Sequence, residues 1–171
     1  MPRATYGMLL AHFGVAVFVV GVTLVKGYES EKDVRMEPGD TVEVGGYTFR
    51  FDGVRDVQGP NYVAGRGRIS VTRNGSLVTT LYPEKRLYKV QNNVMTEAAI
   101  DTGLTRDLYV SLGDSVSDTA WVVRVYHKPF VDWIWGGCLI MALGGALAAS
   151  DRRYRLAARR PREEYAVAAA R

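Results

Sequence analysis

The chain has 171 residues, one cysteine, 22 basic and 18 acidic side chains, and a mean hydropathy near zero. A single cysteine excludes an internal disulfide and a CxxC redox pair. The net charge of +4 is placed wrongly for a nucleic-acid surface. Fourteen basic and fourteen acidic residues balance over Lys26–Lys128, and the surplus lies at Arg3 and in the seven arginines of Asp151–Arg171. Arginine beside an apolar run marks a cytoplasmic flank, so a membrane is expected and a nucleic-acid partner is not.

The first element, within residues 1–26, is Tyr6–Val25, YGMLLAHFGVAVFVVGVTLV. These twenty residues carry no formal charge, and a helix of that length spans the ~30 Å hydrocarbon core of a bilayer. The run is long for a signal peptide, and Lys26-Gly27-Tyr28 follows it where small residues should set up cleavage, so a retained span is expected. His12 is the residue that does not belong in lipid. An intramembrane imidazole is either a ligand or proton relay, or a group satisfied by a neighbouring helix or snorkelling to the surface. Gly7, Ala11, Gly14 and Gly21 form a small-residue seam that lets another backbone approach, with His12 roughly a third of a turn away. Contact on two faces implies partners in the membrane.

Residues 27–129 change to period two. Thr41–Val44, Tyr47–Phe51 and Arg68–Thr72 alternate apolar and polar side chains as half-buried strands do. Pro38-Gly39-Asp40, Gly45-Gly46 and Gly59-Pro60-Asn61 are turn signals. Asn74-Gly75, between Arg68–Arg73 and Ser76–Tyr82, predicts a type I′ hairpin, whose two central residues need positive φ. Further strands are predicted at Glu84–Val90, Asp107–Leu112 and Thr119–Tyr126. Six to eight short strands with tight turns read as an all-β antiparallel extramembrane domain, a small barrel or sandwich, flanked by two transmembrane α-helices.

Residues 130–150 hold the second apolar run, Trp133–Ser150, entered through Tyr126, Phe130, Trp133 and Trp135, an aromatic set suited to the headgroup level. Gly137, Gly144 and Ala148 make one small-residue line, Gly145 and Ala149 a second. Asp151-Arg152-Arg153 ends the helix and opens the basic tail, 151–171. With Arg152, Arg153 and Arg155 cytoplasmic, both termini lie inside and the β-domain lies outside, in the periplasm if the source is a Gram-negative bacterium.

Catalytic signatures are absent: no Ser/His/Asp set, HExxH, phosphate loop or GxGxxG word is present. His127, in the Tyr126–Pro129 entry to the second span, is ~20 Å from the depth of His12 and reads as an interfacial polar group. If His12 binds a metal, Met141 is the one residue of suitable chemistry near its depth within the chain, although a methionine in a span is usually packing. Cys138 reads as a small apolar residue, and the mixed charges of Glu97–Asp107 as a solvated surface.

The chain resembles the C-terminal part of the CcmF/NrfE family, the haem lyase subunit of the bacterial cytochrome c maturation system. The resemblance runs from Tyr6 to about Arg155. It is carried by GMLLAHFGVAVFVVGVTL, YESEKDVRMEPGDTVEVGGYTFRF, GPNYVAGRGRISVTRNG, LYPEKRLY, MTEAAIDTGLTRDLYVSLGD and WVVRVYHKPFVDWIWGGCLIMALGGALAASDRRYR, in that order. Family proteins are larger and multi-span, so the chain looks like their last two spans with the intervening periplasmic domain, as a split-gene subunit, a truncated product or a fragment.

The resemblance implies that His12, in the AHxG word, is an axial ligand of the iron of a b-type haem. It implies a second axial histidine on an upstream span, outside this chain. The tryptophan-rich haem-handling loop and its flanking histidines have no counterpart here; Trp133 and Trp135 are not that loop, and His127 matches no family ligand. The implied role is a haem-ligand and docking subunit for covalent haem attachment to apocytochrome c, not catalytic alone, in the bacterial inner membrane. Its implied partners are the remaining family spans or subunit, the haem chaperone, the thiol-handling components and apocytochrome c. The rival expectation is a membrane-anchored β-domain that acts only as an assembly scaffold.

Overall fold

The structure is a computed structural model that describes residues 2–151; Arg152, Arg153 and Arg155, on which the expected orientation rests, lie outside them. The chain divides into a helical unit, Met1–Thr23 with Asp132–Arg171, and a β-unit, Leu24–Val131.

The helical unit is built from α1 (Arg3–Tyr28) and α2 (Val131–Ala149). Both are long and apolar enough to cross a membrane. The described residues buried in them are all glycines: Gly7, Gly14 and Gly21 in α1, Gly137 and Gly144 in α2. A spacing of seven keeps those glycines on one stripe, and the absent side chains let the backbones touch. A Cβ on Gly14 would stand 2.6 Å from the Met141 nitrogen, and one on Gly7 2.6 Å from the Gly144 oxygen. The seam read from sequence is therefore the α1–α2 contact. The second line on α2 stays open, with nothing within 4 Å of a Cβ at Gly145.

The β-unit contains ten strands, β1 (Ser30–Met36), β2 (Thr41–Val44), β3 (Tyr47–Gln58), β4 (Tyr62–Arg73), β5 (Ser76–Leu81), β6 (Glu84–Tyr88), β7 (Asn93–Glu97), β8 (Ala99–Asp101), β9 (Arg106–Ser115) and β10 (Trp121–Pro129). They form two antiparallel sheets, β1-β10-β9-β8 and β2-β3-β4-β6-β7, with β5 paired to β4. Asn74 and Gly75 both have positive φ (51° and 79°), as the predicted hairpin requires. Inward-facing Phe49, Phe51, Ile69 and Val71 of one sheet share a core with Leu108, Val110, Leu112, Val123 and Val125 of the other. Each contributes roughly 1.5–3 kcal/mol on burial. This is a sandwich of two layers.

Two devices shape the sheet that carries β3 and β4. A bulge between Phe51 and Gly53, with Gly53 at φ 108°, reverses the inward parity of β3, so Phe49 and Phe51 are followed inward by Val54. That reversal is why alternation stops at Phe51 while the strand continues to Gln58. β4 pairs along one side with both β5 and β6, which are separated at Tyr82-Pro83, and the buried Pro83 accepts a hydrogen bond from the Gly67 nitrogen at 2.8 Å.

Candidate functional site

His12 follows from its helix. On α1 the carbonyl one turn back, Met8 O, lies 2.8 Å from His12 Nδ1. A carbonyl oxygen only accepts, so Nδ1 carries the proton and donates, and Nε2 of the neutral ring keeps its lone pair. This is the arrangement of a metal-binding imidazole, one nitrogen oriented by a backbone carbonyl and the other open. The residue is exposed, and two positions from Gly14 it stands about 160° round the helix from the seam. That is further from the seam than a third of a turn. Met8, Val15 and Val19, exposed and apolar, share its face.

Met141 is on the other side of α1. A Cβ on Gly14 would meet Met141 Cγ at 2.8 Å, so that side chain fills the seam between the helices. Ligation of one iron by His12 and Met141 together does not fit this packing. Cys138 is free and half-buried.

The ends of the two helices meet through a contact that sequence reasoning missed. Asp151, buried just beyond α2, accepts a hydrogen bond from the Ala4 nitrogen at 3.0 Å and so caps the first turn of α1. The sequence shows Asp151 only as a helix terminator; capping a helix 147 positions earlier depends on the hairpin.

His127 sits in β10, within the β-unit, stacked on the buried Tyr47 at 5.8 Å between ring centroids. Its Nδ1 is buried without a hydrogen-bond partner. Burial, then the charges of Arg106 and Arg73, push its pKa down. Tyr47 Oη accepts from Arg73 at 3.1 Å and from Arg106 at 3.2 Å, and Arg106 is also paired with Asp101. His127 is thus a member of the sandwich, packed rather than merely interfacial. Trp133 and Trp135 are exposed on α2.

A second polar group lies in the β-unit. Glu84, buried at 5% exposure, accepts from Arg66 and Arg86, which stand beside it on β4 and β6. Burial pushes its carboxyl up, and the hydrogen bonds from Arg86 and Arg66 outweigh that and hold it below the ordinary carboxylate range.

Residues 27–129 match the family described as the CcmF C-terminal beta-sandwich. The chain belongs to the CcmF family. It is 57% identical over 156 residues to the cytochrome c-type biogenesis protein CcmF of Pseudomonas aeruginosa, covering 91% of this chain and 24% of that protein. To the protein of the same description from Escherichia coli it is 52% identical over 150 residues, 88% of this chain and 23% of that one. Among solved structures, one described as cytochrome c haem lyase CcmF aligns with a TM-score of 0.70 at 23% identity, over 85% of this chain and 24% of that chain. That likeness bears on the fold. The chain spans about a quarter of the length of the CcmF relatives it matches.

Proposed function

We propose that this chain works within a CcmF haem lyase, where His12 supplies one axial ligand of a b-type haem and the β-sandwich is a periplasmic docking domain. The observation that carries the reading is the His12 ring: Nδ1 is held by the Met8 carbonyl, and the residue is exposed on an apolar helix face about 160° from the glycine seam. A macrocycle could lie on that face without disturbing the glycine seam. The family relationship implies the sixth ligand, a histidine of the remaining family spans. When bound, the haem supplies a low-spin, one-electron iron centre. The chain's part is to orient His12 through Met8 and to keep water from the iron with Met8, Val15 and Val19.

The family relationship supports the further expectations. These are a bacterial inner membrane setting with both termini cytoplasmic, and as partners the remaining CcmF spans, the haem chaperone, the thiol-handling subunits and apocytochrome c. The chain alone is not expected to catalyse haem attachment.

The test is the spectrum of the complex reconstituted with the remaining family spans. His12→Ala should abolish its low-spin b-type signature while the protein stays in the membrane, and added imidazole should restore part of it. Met141→Leu should leave it intact. A spectrum unchanged in His12→Ala would remove the ligand assignment and leave the scaffold reading.

A further inference from the structure

We propose that the outer face of β3 and β4 around Arg55 is the docking surface of the sandwich, and that it receives an acidic, carboxylate-bearing segment of a partner polypeptide. This rests on the docking role proposed above and names its face and its chemistry.

Arg55 and Arg66 are directly opposed across the β3–β4 ladder. Like charges in that relation repel, and a fold gains nothing from them by itself. Arg66 is answered on its other side by Glu84, the next residue in the same cross-strand row. Arg55 has no ion-pair or hydrogen-bond partner among the described residues. Two pairs along the ladder, Arg68 reaches Asp52 only at 3.5 Å, and its side chain is 62% exposed. The carboxylate of Asp52 is already taken at closer range, by Arg50 at 2.8 Å and the Ser70 hydroxyl at 2.6 Å.

One guanidinium group on this patch, that of Arg55, is therefore unpaired among the described residues, and that of Arg68 is held only at long range by a carboxylate it shares with Arg50 and Ser70. An open-sided concavity of about 240 Å³ lies at the Gly53 bulge, lined by Arg55, Arg66 and Arg68, by Val54 and Tyr82, and by Asp52. The Asp52 carboxylate is engaged by Arg50, Ser70 and Arg68, so that arginines outnumber acids there. Charge complementarity selects an anion, and planar guanidinium groups select carboxylates that they can hold in a forked geometry. The position on an open sheet face, beside an exposed tyrosine, suits a protein surface, where Tyr and Arg dominate binding. A free small anion would need a more enclosed pocket.

The full chain in phosphatidylcholine nanodiscs is titrated with a fluorescein-labelled hexaglutamate peptide at low salt, read by anisotropy. Arg55→Ala with Arg68→Ala should weaken binding at least tenfold. Arg35→Ala, which removes an exposed arginine of the other sheet, should change it less than twofold. Equal affinity in the double variant and the wild type overturns the proposal. So does displacement of the peptide by millimolar inorganic phosphate beyond the effect of sodium chloride at the same ionic strength, which would mark a small-anion site. In cells the double variant should lower cytochrome c maturation and keep the b-haem spectrum of the complex. Normal maturation counts against this docking face and leaves the His12 reading standing, whereas loss of the His12 reading would show in the spectrum.

Discussion

The His127 ring lies against the Cα of Gly45, so a Cβ at position 45 would stand 2.7 Å from Nδ1. Gly45 also has φ 59°, whereas its neighbour Gly46, at φ 78°, faces open space. Gly45→Ala should cost about 3 kcal/mol, from backbone strain and displacement of the ring together, and Gly46→Ala about 1 kcal/mol, from strain alone. Denaturant titration of the full chain, followed by near-UV circular dichroism, compares them. Equal losses would show that the ring moves aside freely.

His127 also makes stability depend on pH. Its folded pKa is depressed, so below the ordinary value of 6.5 the unfolded chain binds more protons than the folded one. Its contribution is complete above that value and is lost as pH falls from there toward the folded pKa. His127→Gln should flatten the stability curve over that window. An unchanged slope would assign the dependence to other groups.

Glu84 acts in a lower window. Its folded pKa is below its unfolded one, so its contribution is present above the ordinary carboxylate range and lost as pH falls through the folded value. Glu84→Ala leaves Arg66 and Arg86 facing a void and should cost about 3 kcal/mol. Asp33→Ala removes a half-exposed pair with Arg124 and should cost less than about 1 kcal/mol, despite its two-pronged geometry. Parallel denaturant titrations rank the two, and a larger loss for Asp33 would reverse the argument.

Gly14→Val should open the helical hairpin. Besides the Met141 side chain it meets backbone, Met141 N at 2.6 Å and Gly137 O at 2.8 Å, and these two cannot step aside as a flexible side chain can. Gly145→Val, on the unfilled line of α2, should leave the α1–α2 contact intact. Energy transfer between labels on the two helices in nanodiscs reports the separation, and a close pair in Gly14→Val contradicts the seam.

The sandwich draws its buried core entirely from Met36–Val125, all within the β-unit. Gly27–Lys128 expressed alone should therefore give a β-sheet circular dichroism spectrum without disulfides or helices. A coil or helical spectrum would show that the core needs α1 and α2.

Short-range chemistry determined much of this protein from its sequence. Uncharged length marks α1 and α2, Asn74-Gly75 fixes a hairpin, and alternation places β2 and the first half of β3, because each signal is complete within a few neighbouring residues. The small residues at Gly7, Gly14 and Gly144 announce close packing for the same reason. What needed the tertiary structure depends on partners distant in the chain. β1, SEKDVRM, has too few apolar residues to be read as a strand, and becomes one because Val34 and Met36 reach the core and Arg124 faces Asp33 across the ladder. β7, exposed along almost its whole length, exists through its pairing with β6, and the second half of β3 hides behind a bulge that shifts its parity. At His12 the sequence supplies the imidazole and its costly place in an apolar helix. Only the fold decides that Met141 lies in the seam while His12 stays exposed, because the glycine stripe, not the histidine, sets how α1 is turned against α2.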